Sequence, residues 1–169
     1  MKLKNYIKEG QKLPLFGIGP YLIYGTGLFT VICIILFVYI FKVGNLTGNP
    51  VWVFRMIGGI LIVFGFIIWF VGALRFGMDK SITENKLKTD GIYAWVRNPM
   101  YSGCWILITG ISFMWHNICM IPVFFINWGI MTIVLRNTEE KWLANLYGKE
   151  YEEYKRRVNR CIPWKRRSG

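Results

Sequence analysis

The amino-acid sequence predicts an all-α, polytopic membrane protein with about four transmembrane helices and a C-terminal amphipathic helix. The 169 residues are 54% hydrophobic and 17% aromatic, an amount of sequence that suits one domain. Residues 13–41, 56–74 and 98–135 contain no Asp, Glu, Lys or Arg, in runs of 29, 19 and 38 residues. About 20 apolar residues cross a hydrocarbon core of roughly 30 Å, so these runs are long enough for membrane crossings.

The elements follow from these runs in order. Glycine and proline interrupt residues 1–20, which we predict to lie along the surface. The third run is too long for one crossing and suits two short ones that reverse at Trp-His-Asn, residues 115–117. Residues 137–169 then form a tail, and residues 1–169 form a single integral membrane domain. The predicted spans are about 21–41, 51–75, 100–115 and 118–136.

Basic residues predict the orientation of these spans. Four lysines precede the first span, five basic residues lie in the 75–99 loop and ten follow residue 135, which places 19 of 21 on one side. The positive-inside rule puts that side, and both termini, in the cytoplasm. A soluble helical bundle is the alternative, but the uncharged runs leave it no charged surface. The net charge of +12 therefore indicates membrane orientation and attraction to anionic lipids, and no nucleic-acid-binding pattern accompanies it.

Two features inside the spans suggest helix packing. Gly58, Gly65 and Gly72 recur at heptad spacing, which gives the second span a small face that a neighbouring backbone can approach closely. Asn127 lies in the middle of the fourth span, where an interhelical hydrogen bond is the simplest interpretation.

The cysteines and the histidine do not suggest a metal site or a disulfide framework. The four cysteines form no Cys-x-x-Cys pair, and we interpret them as small hydrophobic residues. The single histidine, His116, falls in the predicted outer turn. We therefore expect no metal.

The tail residues 137–158 place Trp142, Tyr147, Tyr151 and Tyr154 at helical spacing, which predicts one amphipathic helix. Such a helix suits either packing over a pocket or simple anchoring at the membrane surface.

The segment "GIYAWVRNPMYSG", residues 91–103, stands at the start of the third span. Asn98 and Pro99 suit the N-cap and the first position of a helix, with the asparagine side chain accepting from an early backbone amide. That pair alone only starts a helix, but Tyr93, Trp95, Arg97 and Tyr101 crowd the same helix start. Irregular backbone next to hydrocarbon is tolerated where it is buried in protein or lines a polar cavity. With Glu139 and Glu140 returning on the same side, the sequence predicts a cytoplasm-facing ligand pocket.

This segment, followed by "TEEKWLANLYGKEYEEYKRRVNRCIP", resembles the isoprenylcysteine carboxyl methyltransferase family and, more loosely, the wider group of membrane phospholipid methyltransferases. The resemblance covers roughly residues 80–163, and the first two spans are similar in topology alone. Its elements are Gly-x-Tyr, Arg-x-Pro-x-Tyr-x-Gly, Glu-Glu, Tyr-Gly-x-x-Tyr-x-x-Tyr and Arg-x-x-Pro. The combination of these elements in one order is specific, although each alone is weak.

The resemblance implies a methyltransferase with an S-adenosyl-L-methionine site between the loop before the third span, the start of that helix and the tail. Glu139 would complete the enclosure of the cofactor and, with Arg136 as a cation on the substrate side, is a candidate catalytic residue. The implied cofactor-binding residues are Lys86, Leu87, Lys88, Tyr93, Asn98, Pro99, Met100, Tyr101, Glu139, Arg160 and Pro163.

Position 98 departs from the family pattern, which usually has histidine there. Asparagine donates through its amide but neither carries charge nor shuttles a proton. A carboxylate acceptor needs no general base, so the sequence favours carboxylate methylation of a lipophilic, isoprenylcysteine-like acceptor in the membrane. Methylation of a phospholipid amine or a small thiol stays open. Two other functions also stay open. One is an NADPH-dependent membrane reductase, whose family has a similar C-terminal pattern, and the other is a non-enzymatic membrane scaffold.

Overall fold

In a computed structural model of the chain, residues 17–77 and 87–163 are described, with the backbone alone for 75–77. Within these ranges the structure is helical, and its β contacts are the two isolated bridges Asn45–Asn117 and Val96–Asn159. This part of the chain thus confirms the all-α class. The helices are α1 (Gly19–Ile34, continued by π-helical turns over Ile35–Ile40), α2 (Asn49–Gly77), a 3-10 turn (Gly91–Ala94), α3 (Pro99–Phe113), α4 (Met120–Asn137), α5 (Glu139–Tyr147) and α6 (Lys149–Arg157).

Three helical segments among the described residues are long and apolar enough to cross a membrane: Gly19–Ile40, Asn49–Leu74 and Met120–Tyr147. The chain is accordingly an integral membrane protein. Helix α3 has 15 residues and, at 1.5 Å per residue, is about 22 Å long, shorter than a hydrocarbon core of roughly 30 Å. The count of four membrane spans therefore stays a prediction.

At one end of the bundle, the loop after α1 is tied to the turn between α3 and α4. Asn117 is fully buried there, and its Nδ2 donates to the Val43 carbonyl and to Asn45 Oδ1, both at 2.8 Å. Its Oδ1 accepts from the Cys119 amide at 2.8 Å. His116 lies in the same turn with φ +40. We call this end the far end, because the starts of α1, α3 and α5 meet at the opposite one.

Helix α2 packs closely along α3 through glycines on both helices. A Cβ placed on Gly65 would lie 2.6 Å from the Leu107 nitrogen, and one placed on Gly103 would lie 2.5 Å from the Trp69 nitrogen. The interpretation of the heptad glycines as a packing face is confirmed, and α3 is the neighbour.

Helices α1 and α4 share a hydrogen bond in the middle of the bundle. Asn127 Nδ2 donates to Thr30 Oγ1 at 2.8 Å, and both residues are buried. The predicted interhelical hydrogen bond of Asn127 is confirmed.

The tail corrects one prediction, because residues 137–158 form two helices instead of one. Gly148 separates α5 from α6 with φ +54 and ψ −124, a conformation that ends the helix and that favours glycine. The aromatic face is nevertheless buried in part, since Tyr151, Tyr154 and Val158 form a cluster that Leu87 and Leu143 contact.

Candidate functional site

The start of α3 lies against residues 159–160 through backbone hydrogen bonds. The Arg97 amide donates to the Asn159 carbonyl at 2.8 Å, and the Asn98 amide donates to the Arg160 carbonyl at 3.1 Å. Val96, which is fully buried, forms a parallel bridge with Asn159. The Arg-x-x-Pro element is therefore held beside the first turn of α3.

Asn98 occupies the N-cap position of α3 with Pro99 at the start of the helix, as expected, but its side chain makes no capping hydrogen bond. The predicted side-chain cap is wrong because the Asn98 side chain is directed at residue 160 and accepts from no early amide of α3. Its Nδ2 donates to the Arg160 carbonyl at 3.3 Å. The Asn98 carbonyl itself accepts from the amide and the hydroxyl of Ser102, at 3.0 and 2.8 Å.

A buried ion cluster joins α5 to the same two segments. The Glu140 side chain is 4% exposed, and it receives Arg97 Nη1 at 3.0 Å and Arg160 Nη2 at 2.9 Å. Arg97 Nη1 also donates to the Tyr151 hydroxyl at 3.2 Å, which brings α6 into the cluster. The hydrogen bond to Glu140 raises the pKa of the Arg160 guanidinium above its ordinary value. One carboxylate thus offsets two arginines, and all three side chains hold their positions through it.

Glu139 makes a separate contact with the starts of α1 and α3. The Tyr101 hydroxyl and the Ile18 backbone amide both donate to its carboxylate. A Cβ placed on Gly17 would lie 2.7 Å from Glu139 Oε1, and one placed on Gly19 would lie 2.6 Å from the Tyr101 hydroxyl. The beginning of α1 therefore closes directly over the Tyr101–Glu139 pair.

Tyr93 is fixed between α6 and the preceding loop. Its carbonyl accepts from the Tyr154 hydroxyl at 2.6 Å, and Lys88 Nζ lies 5.8 Å from the centre of its ring. Burial raises the pKa of the Tyr93 hydroxyl to about 12, so the phenol is neutral at physiological pH. We call this end of the bundle, where the starts of α1, α3 and α5 meet residues 159–160, the corner, and Tyr93 adds an aromatic ring to it.

Comparison with known proteins identifies the family. The phospholipid methyltransferase family matches residues 53–150, which include most of α2, the loop before α3, and all of α3, α4 and α5. The chain belongs to this family.

Several relatives of known name are similar to part of the chain. The protein-S-isoprenylcysteine O-methyltransferase of Schizosaccharomyces pombe is 35% identical over 86 residues, which are 50% of this chain and 36% of the relative. The methanethiol S-methyltransferase of Crocosphaera subtropica is 34% identical over 89 residues, or 51% of this chain and 32% of the relative. The isoprenylcysteine enzyme of Dictyostelium discoideum is 30% identical over 116 residues, 63% of this chain and 48% of the relative.

These alignments cover about a third to a half of the length of those relatives. No solved structure matches the chain. The resemblance to the isoprenylcysteine carboxyl methyltransferases is confirmed.

In this phospholipid methyltransferase family member, the structure brings most of the predicted site residues to one corner. Tyr93, Asn98, Tyr101, Glu139 and Arg160 lie there through the contacts given above. Leu87 packs on the aromatic cluster of α6, and Lys88 is half-buried beside Tyr93. Lys86 lies outside the described residues.

Four further candidates lie at the edges of this corner. Pro99 and Met100 face α2, since a Cβ on Gly72 would lie 3.2 Å from Pro99 Cβ and 3.3 Å from Met100 Cγ. Arg136 is exposed in the last turn of α4, and Pro163 is half-buried at the end of the described chain. The roles of all predicted site residues, and the enclosed pocket, stay predictions.

The Gly17–Gly19 turn is a part of the corner that the sequence did not single out, and Glu140 was named for the pocket without a specific role or partner. Glu140 precedes Leu143 and Tyr147 by three and seven residues, so it lies on the same helix face. This spacing indicates from the sequence that Glu140 is directed inward. Of the N-terminal segment expected on the surface, residues 1–16 lie outside the described residues, whereas Gly19 is buried at the start of α1.

The corner offers no evident metal centre. Among residues 17–77 and 87–163, no group of three or more His, Cys, Asp or Glu side chains is placed to hold a metal ion. All four cysteines are free.

Proposed function

We propose that the chain is an S-adenosyl-L-methionine-dependent membrane methyltransferase that transfers a methyl group to the carboxylate of a lipophilic, isoprenylcysteine-like acceptor. One observation carries the proposal: Tyr93, Asn98, Tyr101, Glu139 and Arg160, which the family resemblance assigns to the cofactor, converge from separate segments at one end of the helical bundle. Names of the relatives add support, since those described above are methyltransferases.

The residues of this corner fit a zwitterionic cofactor. Arg97 Nε is buried without a partner among the described residues, and it is a donor available to a carboxylate. The neutral Tyr93 ring can face a sulfonium, a contact worth about 0.5–2 kcal/mol. S-adenosyl-L-methionine, when bound, supplies an activated methyl group on sulfur.

The work of the protein in this reaction is alignment. Fixing two reactants in line contributes up to about 7–11 kcal/mol to lowering a barrier. Tight binding of the sulfonium charge would not accelerate transfer, because that charge disappears as the new bond forms. We therefore assign Tyr93 and Tyr101 to orientation of the donor.

The acceptor proposal rests on the lack of a candidate histidine base. Methylating an amine or a thiol requires removal of a proton, whereas an ionised carboxylate takes the methyl group with no proton transfer. His116 is the single histidine of the chain, and it lies in the far-end turn. Asn98 uses its amide on the Arg160 carbonyl and cannot act as a base. A carboxylate acceptor suits this set of residues.

The proposed access routes follow from the membrane helices. The 19 basic residues on one predicted side favour an orientation with the corner and both termini toward the cytoplasm, from which a soluble cofactor would enter. A lipophilic acceptor reaches the same corner sideways from the bilayer.

Calorimetry on purified protein tests the cofactor. We expect S-adenosyl-L-methionine to bind, and binding to weaken at least tenfold on Tyr93→Ala or Glu139→Ala. Tyr39→Ala is the matched control, because Tyr39 is exposed and its hydroxyl accepts a hydrogen bond from Trp115 Nε1 near the far end. No binding by folded wild-type protein would remove the proposal.

The acceptor is tested with a radiolabelled methyl donor and three substrates: a farnesylated cysteine, phosphatidylethanolamine and a small thiol. A methyl ester releases its label as methanol in alkali, whereas a methylated amine or thioether retains it. We expect alkali-labile label on the farnesylated cysteine. Label that survives alkali would shift the acceptor to one of the other two classes.

A further inference from the structure

Three separate segments converge on a contact that we call the clamp: residues 96–98 before α3, Glu140 in α5 and residues 158–161 after α6. Their backbone contacts join residues 97 and 98 to the carbonyls of residues 159 and 160. Val158 and Cys161 on either side of these carbonyls are 6% and 2% exposed. Residues 158–161 are thus packed against the candidate site. Two side chains stabilise this packing.

The first of these side chains is Asn98. The Arg160 carbonyl accepts from both its backbone amide at 3.1 Å and its Nδ2 at 3.3 Å. The Asn98 side chain makes no helix cap, so the hydrogen bond that it contributes here is the one to the Arg160 carbonyl. A residue without a donor at position 98 would leave the carbonyl with a single partner.

The second side chain is Glu140. Its carboxylate contacts the guanidinium groups of both Arg97 and Arg160. The Arg97 amide donates to the Asn159 carbonyl, and the Arg160 carbonyl accepts from the Asn98 amide. The Arg97 side chain is 7% exposed, so removal of the carboxylate would leave a buried guanidinium facing a second cation. Breaking a buried pair by removing one partner is strongly destabilising for the contact it makes.

We propose that Asn98 and Glu140 are positioning residues that set the affinity for the methyl donor by holding residues 158–161 against the first turn of α3. This rests on the proposed function for the identity of the ligand. Neither residue moves a proton in the reaction: Glu140 is engaged by two arginines, and the Asn98 amide is held by a backbone carbonyl.

Cys161 provides a reporter for the clamp that does not depend on activity. It is 2% exposed, and burial raises the pKa of its thiol to about 12, so it reacts with a maleimide only when residues 158–161 move away. Replacing Cys33, Cys104 and Cys119 by alanine leaves Cys161 as the sole thiol of the chain.

In that background we expect Glu140→Gln and Asn98→Asp to raise the labelling rate of Cys161 at least tenfold. Asn98→Asp is informative because aspartate starts a helix as well as asparagine does, so α3 keeps its start while the donor is lost. Asn98→His restores a donor and is expected to label within threefold of wild type. Wild-type labelling rates in both Glu140→Gln and Asn98→Asp, or Asn98→His labelling as fast as Asn98→Asp, would overturn the clamp.

The control variants carry the same chemical changes elsewhere. Asn137 donates to the Ile133 carbonyl at 2.9 Å on the exposed end of α4, and Glu152 pairs with Lys155 at 3.2 Å on the exposed side of α6. Asn137→Asp and Glu152→Gln should label within twofold of wild type. If Glu140→Gln does not fold, Glu140→Asp retains the charge at a shorter reach and should label at an intermediate rate.

Steady-state kinetics distinguish positioning from catalysis. In Asn98→Asp and Glu140→Gln, the KM for S-adenosyl-L-methionine should rise at least tenfold, and kcat should stay within threefold at saturation. A fall in kcat with an unchanged KM would overturn the assignment as positioning residues. A folded wild type without methyl transfer would end the proposed function, and the labelling rates would still decide the clamp.

Discussion

The close contact between α2 and α3 makes a quantitative prediction about a single methyl group. Gly65→Ala adds a Cβ at 2.6 Å from the Leu107 nitrogen and 2.8 Å from the Gly103 carbonyl oxygen. Both obstacles are backbone atoms, which cannot rotate away as a side chain would. The two helices must therefore separate locally by roughly 1 Å, a gap that forfeits a quarter to a half of the dispersion energy of each contact along the seam.

Overpacking of this kind costs about 1–3 kcal/mol. Gly59 supplies the control, because it lies on the same helix and a Cβ placed there meets nothing within 4 Å. We expect Gly59→Ala to stabilise the protein by up to about 1 kcal/mol, since alanine has the higher helix propensity. The free energies of unfolding of the two variants should thus change in opposite directions.

Titration with sodium dodecyl sulfate in mixed micelles measures this difference. The eight tryptophans of the chain give a fluorescence signal, and one of them, Trp69, has its backbone nitrogen 2.5 Å from a Cβ placed on Gly103 in the same contact. Equal shifts of the unfolding midpoint for the two variants would refute the argument that the backbones are in contact.

Three further tests, two with single substitutions and one with a pair, address other parts of the structure. Each is compared with Gly129→Ala, which places its Cβ in open space on α4. Gly19→Ala puts a Cβ 2.6 Å from the Tyr101 hydroxyl and should weaken S-adenosyl-L-methionine binding at least tenfold in calorimetry. Binding equal to that of the control would contradict the closure of α1 over this corner. Gly148→Ala should lower the free energy of unfolding by about 1–3 kcal/mol, because φ is +54 at this position. An unchanged unfolding curve would count against the break between α5 and α6. Asn127→Leu and Thr30→Val should each lower the free energy of unfolding, and their double-mutant cycle should give a coupling energy of about 0.6–2 kcal/mol. A coupling energy of zero would show that the 2.8 Å hydrogen bond between these residues contributes nothing to stability.

The sequence predicted the features that depend on composition and helical period. Long uncharged runs identified the apolar helices, and heptad spacing identified the glycine face of α2. The mid-span position of Asn127 predicted a partner on another helix, because a polar side chain in hydrocarbon needs one. Each of these inferences uses residues within one element.

The particular partners in most contacts between distant segments were not predicted. The two Asn98 donors meet a carbonyl 62 residues later in the chain, and no local pattern indicates that partner. The closure of the α1 start over Glu139 likewise joins positions more than 120 residues apart. The break at Gly148 did have a local signal, a glycine directly after an aromatic residue, but the continuing aromatic period favoured one long helix.

The distribution of the corner along the chain has a consequence for biosynthesis. Its parts come from the start of α1, the start of α3, the start of α5 and the segment that ends at Cys161. A ribosome must therefore release nearly all of the described chain before Glu140 can meet Arg160. A nascent chain stalled before residue 158 can consequently insert its apolar helices into the bilayer but lacks the contacts that Arg160 makes with Glu140 and Asn98.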